Sequence, residues 1–412
     1  MTYARHHLPD PSGYDASAHE EPLSGYGRLP FSQPFKKAVL LVETDSFVIS
    51  HFQPLVGVLR GLAQEIVVFT RNTGRLGNIE GLGVRVVDFD IASVPRSPAR
   101  QATTAWALAR QIEAEKPDVI HAIGLRSAFL TALAARITTV PHAVIHMTGM
   151  GPLQISPDRR SRILRSAALK MLGHLIRQPN TYLLVENKDD LALLRSYGGD
   201  PGPRFSILGG AGVDPNQFAA LPLPRNPLPV AAYVARMTYT KGADVLMEAF
   251  DILAQHNVRV QPLLCGRCAP DHPDSIPQEV LTKWCETHGG VWREHIPDIS
   301  EVWQNADFFI LPSRGGEGMP KAMLEAAASQ RPLIVSNVPG CRDFVRHGVE
   351  GLVVPPDDPE ALAQAIARLA SDSGLRQRLG EAARLRLLHG YTEAHVTQTV
   401  RESYATFFVN RR

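Results

Sequence analysis

Two glutamates with seven residues between them, Glu317 and Glu325, stand on either side of a glycine-rich turn that leads into a helical pattern opening at Pro320. Such a turn leaves backbone N–H groups free at the positive end of the helix dipole, which suits an anion. A carboxylate offers only acceptor oxygens, so it suits the paired hydroxyls of a ribose or another sugar. Taken alone, the two glutamates read more simply as a capped helix with a solvated acidic residue. Arg236 and Lys241 form a second group, just after an apolar run at 230–234. Arg grips phosphate oxygens as a fork and Lys acts as a point charge. The same residues also read as a basic turn before an amphipathic helix carrying Ala243, Leu246, Met247 and Phe250.

Two other groups carry less. Cys265, Cys268, Cys285 and His288 have nearly the spacing of a structural zinc site. Cys265, however, closes an apolar run and Cys285 falls inside a helical pattern, so no metal is expected. The segment 209–214 lacks the third glycine of a dinucleotide fingerprint and runs into Asp214-Pro215 instead of a helix. His121 and His146, each inside or beside an apolar run, read as satisfied core histidines.

These groups need elements to position them. Apolar runs at 36–42, 66–69, 84–87, 118–120, 143–145, 182–185 and 206–208 alternate with helical spacing, clearest at 102–115 and 127–136. That alternation predicts a doubly wound parallel sheet in an α/β fold. Four prolines crowd the stretch 221–229, a linker signal, and a second series comes after it at 230–234, 259–264, 307–311, 332–336 and 351–354. The expected organisation is a flexible tail at 1–34, a Rossmann-like domain at 35–220, a hinge at 221–229, a second Rossmann-like domain at 230–390, and a terminal helix at 391–412 crossing back to the first. The 412 residues suffice for two cores. A net charge of +2 with 43 basic and 41 acidic side chains gives no footprint for coating nucleic acid. Four cysteines form no disulfide framework and point to a reducing compartment. The first 34 residues show no apolar segment behind basic residues, and nowhere do 18 apolar residues run together. One stripe is locally basic: Arg159, Arg160, Arg162, Arg165 and Lys170 have no acidic neighbour after Asp158. It reads either as a helix lying on an anionic membrane or as the solvated face of a core helix.

The E-x7-E spacing of Glu317 and Glu325 resembles the signature of retaining glycosyltransferases of family 4, which have the GT-B fold of two Rossmann-like domains facing across a cleft. The segments Ser336-Asn337-Val338-Pro339-Gly340 and Gly348-Val349-Glu350-Gly351-Leu352-Val353-Val354-Pro355 resemble the same family. Ser50-His51-Phe52-Gln53-Pro54-Leu55, Lys116-Pro117-Asp118 and Thr148-Gly149-Met150-Gly151 are similar to the branch that builds bacterial surface glycans on a polyprenyl carrier. The resemblance implies that Glu325 holds ribose hydroxyls, Glu317 contacts the donor sugar, and Arg236 with Lys241 binds the diphosphate. It places Gly316, Gly318, Met319 and Lys321 around the donor, with His51, Thr148 and Gly149 on the acceptor side. His51 is open between an acceptor or phosphate contact and a structural helix-start residue. Thr148 departs from the wider family, in which many members carry a His there.

The activity implied by this resemblance is that of a transferase moving a hexose or N-acetylhexosamine, with retention, from a nucleotide-diphosphate sugar to a lipid-linked or soluble glycan. It needs no cofactor or metal, closes its domains to exclude water, and works in the cytoplasm or on the inner face of the membrane. The rival readings are a soluble sucrose- or trehalose-type synthase, a sugar-nucleotide epimerase of the same fold, and a non-catalytic sugar-nucleotide-binding subunit.

Overall fold

The computed structural model describes residues 35–91, 98–139, 142–151, 159–268 and 274–409. The tail expected at 1–34 lies outside them. Two all-parallel sheets dominate. The first joins β1 (Phe35–Thr44), β2 (Ala63–Arg71), β3 (Arg85–Asp88), β4 (Val119–Ile123), β5 (Ala143–Met147), β6 (Thr181–Val185) and β7 (Phe205–Ile207), in the order β3-β2-β1-β4-β5-β6-β7. The second joins β8 (Val230–Val234), β9 (Gln261–Cys265), β10 (Val291–Arg293), β11 (Phe308–Leu311), β12 (Leu333–Ser336) and β13 (Gly351–Val354), in the order β10-β9-β8-β11-β12-β13.

The apolar runs become strands because crossover helices cover both faces of a parallel sheet, so every position along a central strand must be apolar. All five residues of β4, β5 and β6 are buried. Strand β10 has no sequence expectation: it is a three-residue edge strand whose ends are exposed, so no apolar run marks it. Each sheet has its own core, and Val213 and Phe218 join the second one.

Both sheets reverse direction of winding once, between β1 and β4 and between β8 and β11. Ligands of doubly wound sheets bind at the carboxyl ends of the strands beside that switch. The loop after β8 carries Arg236 and Lys241, and the loop after β11 carries Glu317, so the topology converges these residues on one crevice.

The linker lies against the second domain. Arg331 is fully buried and donates to the carbonyls of Trp303 at 2.8 Å, Pro222 at 2.9 Å and Leu221 at 3.3 Å. The last helix, Glu393–Val409, packs on the first domain: Tyr404 bonds His121 Nδ1 at 2.9 Å, and the Phe408 ring lies 4.8 Å from that of Phe35. The basic stripe is a helix, Arg159–Arg177, that buries Leu169, Leu172, Leu175 and Ile176 and exposes Arg162, Ile163 and Lys170. The side chains of Arg159 and Arg160 lie outside the described residues. Among the described residues no helix is long and apolar enough to cross a membrane.

Candidate active site

The loop after β11 turns through Gly315 and Gly316 and reaches the helix Lys321–Ala328, with Pro320 at its N-cap. Glu317 sits in that loop, 7% exposed. Lys241 Nζ donates to both of its oxygens at 2.6 Å, and Ser313 Oγ donates to Oε1 at 2.7 Å. Glu325 lies in the second turn of the helix, its side chain buried and its carboxyl group without a hydrogen-bond partner among the described residues. Burial pushes its carboxyl up to about 7, and the Lys321 charge only partly opposes that. A buried carboxyl group without a donor is an acceptor waiting for hydroxyls. The Arg236 guanidinium is exposed and likewise has no partner among the described residues. Arg236 and Lys241 thus lie in the loop after β8, Glu317 in the loop after β11, and Glu325 in the helix that follows it.

The first domain meets this loop directly. Gly149 adopts φ +103°, and a Cβ there would lie 2.5 Å from both Gly316 O and Gly318 N. Only glycine tolerates both the conformation and the approach. Gly151 N donates to Gly316 O at 3.1 Å, and Lys321 Nζ donates to Ser50 O at 2.6 Å. The Lys321 ammonium is therefore engaged across the domain boundary. His51 lies in a π-helical turn, Val48–Phe52, with Nδ1 2.7 Å from Ser50 Oγ. Burial first, then Lys321 and Lys241, lowers its pKa to about 3. It is neutral at physiological pH, so it offers a hydrogen bond and not a charge.

Sequence reasoning missed Glu186, Asn187 and Ser313. Glu186 Oε2 accepts from Met319 N at 2.8 Å, and Asn187 Nδ2 donates to Glu317 O at 3.3 Å and Gly318 O at 3.4 Å. The available signal was a polar pair directly after the buried strand β6, at the carboxyl end where sites form.

The reading of His121 and His146 as satisfied histidines needs correction. His121 Nε2 and both ring nitrogens of His146 are buried without a hydrogen-bond partner among the described residues. The register pairs His121 with Val144, two residues before His146, so both imidazoles share one face of the sheet with ring centroids 5.7 Å apart. Tyr404 reaches that face and satisfies one nitrogen, His121 Nδ1. The zinc spacing does not assemble either. Among the described residues no three metal-ligating side chains cluster. Burial pushes the Cys265 thiol up to about 12, and His288 Nε2 lies 2.8 Å from Asp251 Oδ1.

Residues 228–372 match the family model for glycosyl transferases group 1, and residues 49–207 match that of the glycosyl transferase 4-like domain, together about three quarters of the chain. The chain belongs to this glycosyltransferase family. One relative is the N,N'-diacetylbacillosaminyl-diphospho-undecaprenol alpha-1,3-N-acetylgalactosaminyltransferase of Campylobacter jejuni, 22% identical over 81% of the chain and 90% of the relative. Another is the UDP-Gal:alpha-D-GlcNAc-diphosphoundecaprenol alpha-1,3-galactosyltransferase of Escherichia coli, 26% identical over 74% and 79%. Among solved structures, Anabaena HepE in complex with UDP-glucose superposes on the glycosyltransferase with TM-score 0.71 at 17% identity, covering 90% and 99% of the two chains. A glycosyltransferase from Rickettsia africae gives 0.67 at 18%, covering 91% and 99%. The fold is GT-B.

Proposed function

We propose that this glycosyltransferase moves a hexose or N-acetylhexosamine from a nucleotide-diphosphate donor to a polyprenyl-diphosphate-linked glycan in surface polysaccharide synthesis. The observation that carries the donor half is the buried side chain of Glu325, whose carboxyl meets no protein donor among the described residues, on the helix that follows the loop of the Lys241–Glu317 pair. The acceptor half is supported by the acceptors in the names of the Campylobacter jejuni and Escherichia coli relatives, and the donor's nucleotide by the UDP-glucose bound to HepE.

In this reading Glu325 accepts from the ribose hydroxyls and Glu317 from the sugar, while Arg236 and Lys241 hold the diphosphate. Gly316, Gly318 and Met319 line the donor with backbone groups. The bond between the anomeric carbon and the diphosphate oxygen breaks, and the acceptor hydroxyl oxygen bonds that carbon from the same face. Its proton passes to the departing phosphate oxygen, so configuration is retained and no protein base is required. Lys241, Arg236 and the N–H groups at the start of the helix Lys321–Ala328 supply the positive charge, preorganised where negative charge grows. Exposed Arg162 and Lys170 would hold the enzyme against anionic lipid on the cytoplasmic side of the membrane.

Incubation with a panel of nucleotide sugars and a polyprenyl-diphosphate glycan tests the reading. Sugar should pass into the organic phase with nucleotide diphosphate released only when acceptor is present, and the anomer should match the donor's. Product confined to the aqueous phase would favour a soluble acceptor; nucleotide release that ignores acceptor would refute transfer.

A further inference from the structure

The first domain holds the donor loop by its backbone on both sides of Glu317. Glu186, at the carboxyl end of β6 and 5% exposed, accepts from Met319 N–H at 2.8 Å. Asn187, fully buried, donates to the carbonyls of Glu317 at 3.3 Å and Gly318 at 3.4 Å. Its own orientation is fixed from below: Oδ1 caps the helix Lys188–Ser196 by accepting from Asp190 N at 2.7 Å, and Nδ2 also reaches Asp190 Oδ2 at 2.9 Å. Gly318 is the point of closest approach. A Cβ there would lie 2.1 Å from Glu186 Oε2 and 2.6 Å from Thr148 O. Within the first domain the other Glu186 oxygen, Oε1, lies 3.7 Å from His146 Nε2, beyond hydrogen-bond distance, so the buried carboxylate depends on the Met319 N–H. Moving the domains apart would remove Met319 N–H from Glu186 and let water take its place.

We infer that Glu186 and Asn187 are positioning residues: they fix the backbone of Glu317, Gly318 and Met319 in transfer geometry only when the domains are shut, so that domain closure and donor binding are energetically coupled. This rests on the reading of that loop as the donor site. Coupling is reciprocal, so anything that weakens closure must weaken nucleotide binding in proportion.

The test uses the full chain in solution. X-ray scattering reports the radius of gyration, and calorimetry with uridine diphosphate reports affinity. Glu186→Ala should enlarge the radius and raise the Kd at least about fivefold. Glu186→Gln keeps an amide oxygen to accept from Met319 N–H and should restore both values towards wild type, a rescue that a space-filling role for the carboxylate would not produce. Asn187→Asp keeps the helix cap but turns a carboxylate towards two carbonyls, and should open the domains too. Gly318→Ala, whose backbone conformation any residue adopts, should open them by steric exclusion, and it carries the test if Glu186→Ala does not fold. A wild-type radius in Glu186→Ala or Gly318→Ala, or a Gln variant as open as Ala, would overturn the inference. If the wild type does not bind uridine diphosphate, the donor reading fails, and the scattering comparison still decides whether the clamp exists.

Discussion

A carboxyl group buried without a donor favours its protonated form, and Glu325 is in that position, its pKa raised from 4.5 to about 7. The raised value makes the sign definite. The folded state binds the proton more tightly, so this stabilisation is complete below the ordinary carboxylate range and lost as pH rises through about 7. Glu325→Gln should therefore be more stable than wild type at pH 8, by up to about 3 kcal/mol, and nearly equal to it at pH 4. Urea unfolding at the two pH values checks this. Hydroxyl donors from a ribose favour the ionised form, so uridine diphosphate should release part of a proton on binding near pH 6, and the Gln variant should not. Calorimetry in buffers of different ionisation enthalpy measures that proton. Glu317, Glu325, Arg236 and Lys241 were legible as candidates because residue type and local spacing single them out. Glu186 and Asn187 were not, since their contacts to the donor loop cross about 130 residues and exist only once two domains meet.

At the scale of elements, the loop after β11 owes its shape to its neighbours. Gly340, after β12, adopts φ +79°, and a Cβ there would lie 1.7 Å from Gly318 O. Gly340→Ala must both strain its own backbone and push the loop after β11 away. A loss of at least about 2 kcal/mol is expected in thermal unfolding, together with weakened uridine diphosphate binding and an unchanged far-ultraviolet spectrum. The strands were legible because parallel sheets demand continuous apolar runs; β10 lacked one because it lies at an edge. The helix Arg159–Arg177 was legible as a helix, whereas its relation to a membrane was not, since a basic exposed face looks alike in water and on lipid. Charge reversal at Arg162 and Lys170 should reduce flotation with anionic vesicles, at about 1 kcal/mol per cation. Unchanged flotation would remove that assignment.

For the molecule as a whole, the proline-rich stretch announced two domains without saying which one holds the linker. Arg331 decides it for the start of the stretch, because its guanidinium binds Leu221 and Pro222 together with Trp303 inside the second domain. Burial lowers its pKa to about 10, still well above physiological pH. Arg331→Met would leave three carbonyls with one donor fewer each, and about 3 kcal/mol should be lost in urea unfolding; a variant as stable as wild type would mean water replaces the guanidinium at no cost. The near-neutral charge of the chain hides a local arrangement: the first domain presents a basic helix and the second an Arg–Lys pair whose lysine meets the Glu317 carboxylate. Donor chemistry at that pair is the central claim, and single-turnover transfer from radiolabelled nucleotide sugar to a polyprenyl-diphosphate glycan tests it most directly. The wild type should transfer label to the lipid phase, and a folded Glu317→Ala, Lys241→Ala variant should transfer it at least about a hundredfold more slowly. Transfer by that variant at the wild-type rate would contradict the assignment of the site.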